Sequence, residues 1–216
     1  MMSPHHLHAV SAAWSLAAAR GRLAELARLE AASNGRALLD AAPCLRSTSA
    51  YGTRHSTGGH GDPTVSTLTA RPIPATWWSD LTHRLDQRVR WTADRIAPGP
   101  GDPLTRLITR IPAMLPATAA VVARHLADED TWVRAAIALP PAQHPLIGIG
   151  CPSCGQRSLH VQSAGPQEAW TVVCTAGCVC TGQGCPCDMP GAVEGAQHIW
   201  PRDVVLGAVA GAAPAA

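Results

Sequence analysis

CPSCGQRSLHVQSAGPQEAWTVVCTAGCVCTGQGCPC, Cys151–Cys187, puts seven cysteines into 37 residues, whereas the other 179 residues hold one, Cys44. Thiolates bind zinc tetrahedrally at about 2.3 Å, and a short Cys-x2-Cys turn sets two sulfurs on one ion. Cys151-Pro-Ser-Cys154-Gly is such a knuckle, its glycine letting the chain turn so that amides face the sulfurs. Nineteen residues later comes Cys174, and Cys178 follows after three more. C-x2-C-x19-C-x3-C is zinc-ribbon spacing, two knuckles at the ends of a hairpin. "SLHVQS" and "EAWTVVC" alternate loosely around the turn "AGPQ" and supply the two strands.

Cys180, Cys185 and Cys187 remain, and zinc prefers four ligands. The next candidate downstream is His198, in "HIW". The preferred partition is Cys151, Cys154, Cys174 and Cys178 for one Zn²⁺, and Cys180, Cys185, Cys187 and His198 for a second. Because "CVC" and "CPC" interleave the sets, Cys178 and Cys180 are interchangeable at this level. One zinc with three spare thiols stays open, as does His198 as a surface histidine beside Trp200. A disulfide framework competes with metal for the whole cluster, but no convincing secretory signal precedes it. A closed four-ligand site is structural, since a catalytic zinc keeps a position for water.

Outside the cluster the sequence reads as helical. Leu16, Leu23, Leu26 and Leu29 form a stripe over residues 10–32, with Asn34-Gly35 as a stop. Thr76 precedes the strongest helix, 77–96, whose apolar stripe is Trp78, Leu81, Leu85, Val89 and Ile96. Asp62-Pro63 and Asp102-Pro103 both look like an N-cap followed by proline at the first helical position. Shorter helices are expected at 103–111, 117–127 and 130–139, and "LIGIG" as an extended lead into Cys151. The expected fold class is α+β, a mainly helical N-terminal module followed by a small zinc-ribbon β-hairpin module. Its parts are an N-terminal helix (1–42), a loop or linker (43–61), a helical module (62–145), the ribbon (146–203) and an Ala/Gly-rich tail (204–216).

Composition narrows the chemistry. All 17 basic residues are arginine and phenylalanine is absent, as a GC-rich genome would produce. Without lysine there is no Walker-type phosphate loop, Schiff base or pyridoxal chemistry. No nucleophile elbow, paired-carboxylate motif or small-molecule site is visible, so the chain reads as non-enzymatic. No targeting segment is convincing, and the stretch "VVLGAVAGAAPAA" is too short to span a bilayer, which needs about 20 apolar residues; the expected location is cytoplasmic. His5, His6 and His8 read as a disordered tip, His55 and His60 as loop filler, and Cys44 as a small buried residue.

Two surfaces suggest partners. On the 77–96 helix Trp77, Arg84, Arg88, Trp91 and Arg95 share one flank, a pattern that suits phosphate contact and base stacking, hence DNA. The competing view is tryptophan packing with stacked arginines and i,i+4 pairs. From residue 151 onward two arginines face four carboxylates, a net −2. Seven thiolates and two divalent ions would bring this to about −5, which favours a protein partner over phosphates.

At "CPSCG…VVCTAGCVCTGQGCPC…HIWP" the chain resembles small zinc-ribbon proteins encoded by actinobacteria, their phages and integrated elements. In these a helical region precedes a CPxCG ribbon, a cysteine-dense second half and a final His-x-Trp. The likeness covers residues 146–201. It implies structural zinc and a DNA-associated accessory role in a phage or mobile element, but no defined activity. Some relatives carry a helix-turn-helix after the ribbon; "RDVVLGAVAGAAPAA" stands there instead.

Overall fold

The computed structural model describes residues 2–41, 77–189 and 191–211. The linker 43–61 with Cys44, His55 and His60, the Asp62-Pro63 signal, Thr76 and the last five residues of the tail lie outside them. Five α-helices are described: α1 (Pro4–Ala41), α2 (Trp77–Ile96), α3 (Pro103–Arg110), α4 (Pro116–Ala136) and α5 (Arg202–Gly211). Four short strands, β1 (Gln143–Pro145), β2 (Leu159–Gln162), β3 (Thr171–Cys174) and β4 (Ile199–Pro201), make one antiparallel sheet in chain order. The α+β reading holds: four described helices come first, β2 to β4 lie in the cysteine-rich part, and α5 follows where a tail was expected. No described helix is long and apolar enough to cross a membrane.

The chain divides into two compact units, Met1–Gly21 with Leu85–Ala216, and Arg22–Arg84. In the latter, Leu23 and Leu81 are buried. There the Glu30 carboxylate accepts the Trp78 amide at 3.1 Å, serving one of the orphan N–H groups of the first turn of α2. Leu29, assigned to the apolar stripe, is 59% exposed.

Three helix boundaries differ from expectation. α1 starts at Pro4, because proline suits a first turn that needs no amide donors and Ser3 closes that turn. The His6 and Leu7 amides donate to the Ser3 carbonyl at 3.0 and 3.3 Å. α1 also runs through Asn34-Gly35, since one glycine costs only about 1 kcal/mol and helix formers flank it. The expected helices 117–127 and 130–139 are one helix, α4, which ends at Ala136, because nothing between them breaks it. Asp130, inside α4, accepts from Ser15 Oγ at 2.6 Å and from Arg134 Nε at 2.9 Å, and Arg134 also reaches Ser15 Oγ at 3.1 Å. Asp102, by contrast, caps α3 as expected, accepting the Thr105 amide at 3.0 Å.

In the larger unit, the alanine-rich face of α1 (Ala9, Ala12, Ala13, Leu16) is buried along with Leu85 and Val89 of α2, Leu107 of α3 and Val122 and Leu126 of α4. Small side chains let helices approach closely and stand in for the missing phenylalanines. Arg20 ties three elements, donating to Asp86 at 2.7 Å and to the α3 cap Asp102 at 2.6 Å.

The sheet has two covered faces, which is why every residue of β3 is buried. Cross-strand partners Val161, Val172 and Trp200 form a row on one face. That row joins Cys151, Leu159, Cys174, Met189 and Val205 in a single core cluster. The other face carries Thr171, which meets His8 of α1. Ser11 Oγ donates to the Ala164 carbonyl at 3.1 Å. Gly165, at φ +81°, lets the hairpin turn approach α1 so closely that a Cβ there would lie 2.5 Å from the Trp14 ring.

The N-terminal histidines are therefore not a disordered tip: His5, His6 and His8 are all buried. His6 Nδ1 accepts from the Ser3 amide at 3.0 Å, so Nε2 holds the proton and donates to the Met114 carbonyl at 2.9 Å. Burial, then the neighbouring His5, lowers the His8 pKa to about 4. A histidine kept neutral on folding contributes stability above its unfolded pKa of about 6.5 and loses it as pH falls toward its folded value. Between pH ~6.5 and ~4 this group should remove on the order of 3 kcal/mol of folding stability. Urea denaturation of full-length protein across that window should give a shallower pH slope for His8→Gln than for the parent; equal slopes would contradict it.

Candidate metal centres

The ligands come from the ends of the sheet and from the turns that follow. Cys151–Cys154 folds as a tight knuckle, with the Gly155 amide donating to the Cys151 carbonyl at 2.8 Å and Gly155 at φ +71°. β3 ends on Cys174, and Gly177, at φ +75°, turns the chain back to Cys178. Pairing of β2 with β3 sets Leu159 opposite Cys174, which brings the two knuckles together.

The second half is held by β4, a strand the sequence reading lacks. Just before it, the Cys180 amide donates to the Ala196 carbonyl at 2.7 Å, and the Gly195 amide to the Cys180 carbonyl at 2.8 Å. A bridge pairs Val179 with Gln197. The His198 carbonyl accepts the Cys174 amide at 3.3 Å. These contacts carry His198, 2% exposed, in among the cysteines.

Two sets of four result: Cys151, Cys154, Cys174 and Cys178; and Cys180, Cys185, Cys187 and His198. Within each set the ligand atoms lie within 4.8 Å of one another. The sulfur pairs Cys151–Cys178 and Cys154–Cys174 are 3.8 Å apart, and Cys180–Cys187 is 3.9 Å. A tetrahedron with arms of about 2.3 Å has edges of about 3.8 Å. A disulfide would need about 2.05 Å, and all seven of these cysteines are free thiols. His198 Nε2 lies 3.3 Å from Cys185 Sγ, close to the roughly 3.5 Å edge of a mixed sulfur–nitrogen tetrahedron. The donor set and its spacing therefore fit two metal ions, with the partition that ligand counting favoured.

Backbone amides support the sulfurs in a repeating way. Cys151, Cys174, Cys185 and Cys187 each accept from the amide two residues on, those of Ser153, Ala176, Cys187 and Met189. The Gly182 amide does the same for Cys180 at 3.4 Å. Such N–H···S bonds spread thiolate charge and fix ligand orientation. Ser158 Oγ, 3.3 Å from Cys174 Sγ, adds a side-chain donor that cysteine spacing could not reveal.

The thiols are pushed apart in acidity. Amides of Cys187 and Thr181 and the His198 ring pull Cys185 down to about 5. Burial alone would raise Cys174, but Ser158 and neighbouring thiols outweigh it and lower it to about 6. Burial and adjacent sulfurs drive Cys178 well above its ordinary value and Cys187 up to about 11. Packed thiols on their own thus ionise only in part, and a divalent cation is what lets all of them do so.

The arginine–tryptophan flank is less free than its sequence suggests. Trp77 and Arg84 belong to the unit Arg22–Arg84, and Arg88, Trp91 and Arg95 to the other. Arg88 pairs with Glu129 at 2.6 Å, and Glu129 is 1% exposed. Arg95 lies 3.8 Å over the Trp91 ring. An open apolar cleft of about 330 Å³ beside Trp91 is lined by Gln87, Arg88 and His125. Comparison with protein-family models, curated proteins and solved structures gives no match for this chain.

Two outcomes follow. Elemental analysis of the reduced, full-length protein should find two metal ions per chain, and Cys185→Ser with Cys187→Ser should lower this to one. Separately, Arg88→Ala should cost about 3 kcal/mol by leaving a buried carboxylate unpaired, and Glu129→Gln in that background should restore most of it. Chemical denaturation reads both variants; an unchanged midpoint for Arg88→Ala would refute the pairing.

Proposed function

We propose that the chain is a non-enzymatic zinc protein in which two Zn²⁺ ions are structural, and that it serves as a DNA-associated accessory. The observation that carries the zinc reading is the closure of both sets. Seven thiolates and one imidazole fill two tetrahedra, and soft sulfur donors in that geometry select zinc over oxygen-seeking cations. Four protein ligands per ion leave no position for a reacting water. Zinc would supply folding energy to a module whose sheet is only three or four residues long in each strand. The phage or mobile-element setting rests on the ribbon's resemblance alone.

For DNA contact the supporting surface is the end of α2. Trp91 is 57% exposed, with Arg95 stacked on it and Arg88 at the same cleft. An indole with a guanidinium beside it suits base stacking and phosphate contact. A second reading, an adaptor docking a protein through the acidic ribbon, is favoured by Ile147 and Val179, 91% and 48% exposed. Electrophoretic mobility shift across salt separates the two. DNA association predicts binding whose affinity falls steeply with salt and weakens on Arg84→Ala with Arg95→Ala. Those sites avoid the structural pair at Glu129. No shift even at low salt would remove the DNA reading and leave the adaptor.

A further inference from the structure

His198 faces both centres. Its Nε2 lies 3.3 Å from Cys185 Sγ, within the second set. Its Nδ1 lies 3.3 Å from Cys178 Sγ, which belongs to the first. A neutral imidazole carries one N–H, and the nitrogen that binds a metal must be the bare one. A metal on Nε2 therefore places the proton on Nδ1, where it points at the Cys178 sulfur. Without that metal bond the ring is free to take the other tautomer, and the donor is lost.

Cys178 has particular need of this donor. Five other cysteines accept the amide two residues on, but the corresponding amide here is that of Cys180, already donated to the Ala196 carbonyl at 2.7 Å. Only Val179 separates Cys178 from Cys180, and Val179 is itself bridged to Gln197 beside the histidine. The chain between the centres thus has little slack, and the imidazole, 2% exposed, is held with both nitrogens against sulfur.

We propose that His198 couples the two centres: by ligating the second metal through Nε2 it becomes the N–H donor that stabilises the Cys178 thiolate at the first, so loading of one centre strengthens the other. The coupling rests on the two-centre reading above. His198 has two roles at once, ligand to one ion and outer-sphere support to its neighbour. Loss of such support typically weakens metal affinity by about 10- to 100-fold. Coupling is reciprocal by linkage, so the second centre gains by the same factor when the first is filled.

NMR of the cadmium-substituted, full-length protein tests this directly. Two cadmium resonances are expected, and the one from the four-sulfur centre should correlate across the N–H···S bond with the His198 Hδ1 proton. Chelator competition on the same material supplies the thermodynamic arm. Cys185→Ser with Cys187→Ser should lower first-centre cadmium affinity about 10- to 100-fold, and adding His198→Ala should lower it little further. Two bound ions with no Hδ1 correlation, or a first-centre affinity indifferent to loss of the second, would overturn the coupling alone. A single bound ion per chain would instead overturn the two-centre reading. The NMR arm uses the parent sequence, so misfolding of a variant cannot mask the answer.

Discussion

Thiolates held within 4.8 Å of one another repel, and the C-terminal part of this protein gathers four cysteines in one such set and three with a histidine in another. Amides two residues on, a serine hydroxyl and an imidazole all aim donors at sulfur. These spread the charge but do not cancel it, as the raised Cys178 and Cys187 thiols indicate. A divalent ion in each set would supply positive charge where these donors fall short. It would also turn each group of four donors, four thiols in one set and three thiols with an imidazole in the other, into four bonds whose combined strength is of order 10 kcal/mol for a structural zinc.

The same arrangement explains why the ribbon is not a freestanding appendage. One face of its sheet is backed by the sulfur-rich core around Cys151, Cys174 and Trp200. The other receives the start of α1 through His8, Ser11 and the close approach of Trp14 to Gly165. Metal bound at these sets would thereby act beyond the residues that hold it. A sheet kept in register by its knuckles gives α1 a surface to pack on, and α1 in turn carries Ser15 and Arg20 to the polar ties that join α2, α3 and α4. Buried His8 sits where α1 meets the sheet, and its lowered pKa ties that packing to pH.

The metal ligands were legible because cysteine spacing is a geometric statement: two residues between sulfurs make a knuckle whatever surrounds it. His198 was legible only by counting, since seven thiols leave one tetrahedron short. The pairing that places it was not, because β4 is three residues with a proline, too short for alternation to show. β1, Gln143–Pro145, escaped for the same reason, and polar side chains at an edge carry no burial signal. The strong amphipathic helix at 77–96 and the Asp102 cap were clear from local pattern. The burial of His5, His6 and His8 was not, for it rests on distant partners: His8 meets a sheet residue about 160 positions away and His6 the Met114 carbonyl. Arginine–indole spacing along α2 was visible, but not that Glu129 waits on α4 for Arg88.

X-ray absorption at the metal edge of the reduced, full-length protein bears most directly on whether sulfur-bound metal organises this chain. Two closed centres predict a zinc edge with a dominant sulfur shell at about 2.3 Å and a minor nitrogen contribution at about 2.0–2.1 Å. The sulfur-to-nitrogen ratio should be seven to one, as the two ligand sets require. A first shell dominated by oxygen or nitrogen, or protein that folds its cysteine-rich part with no metal bound, would contradict it.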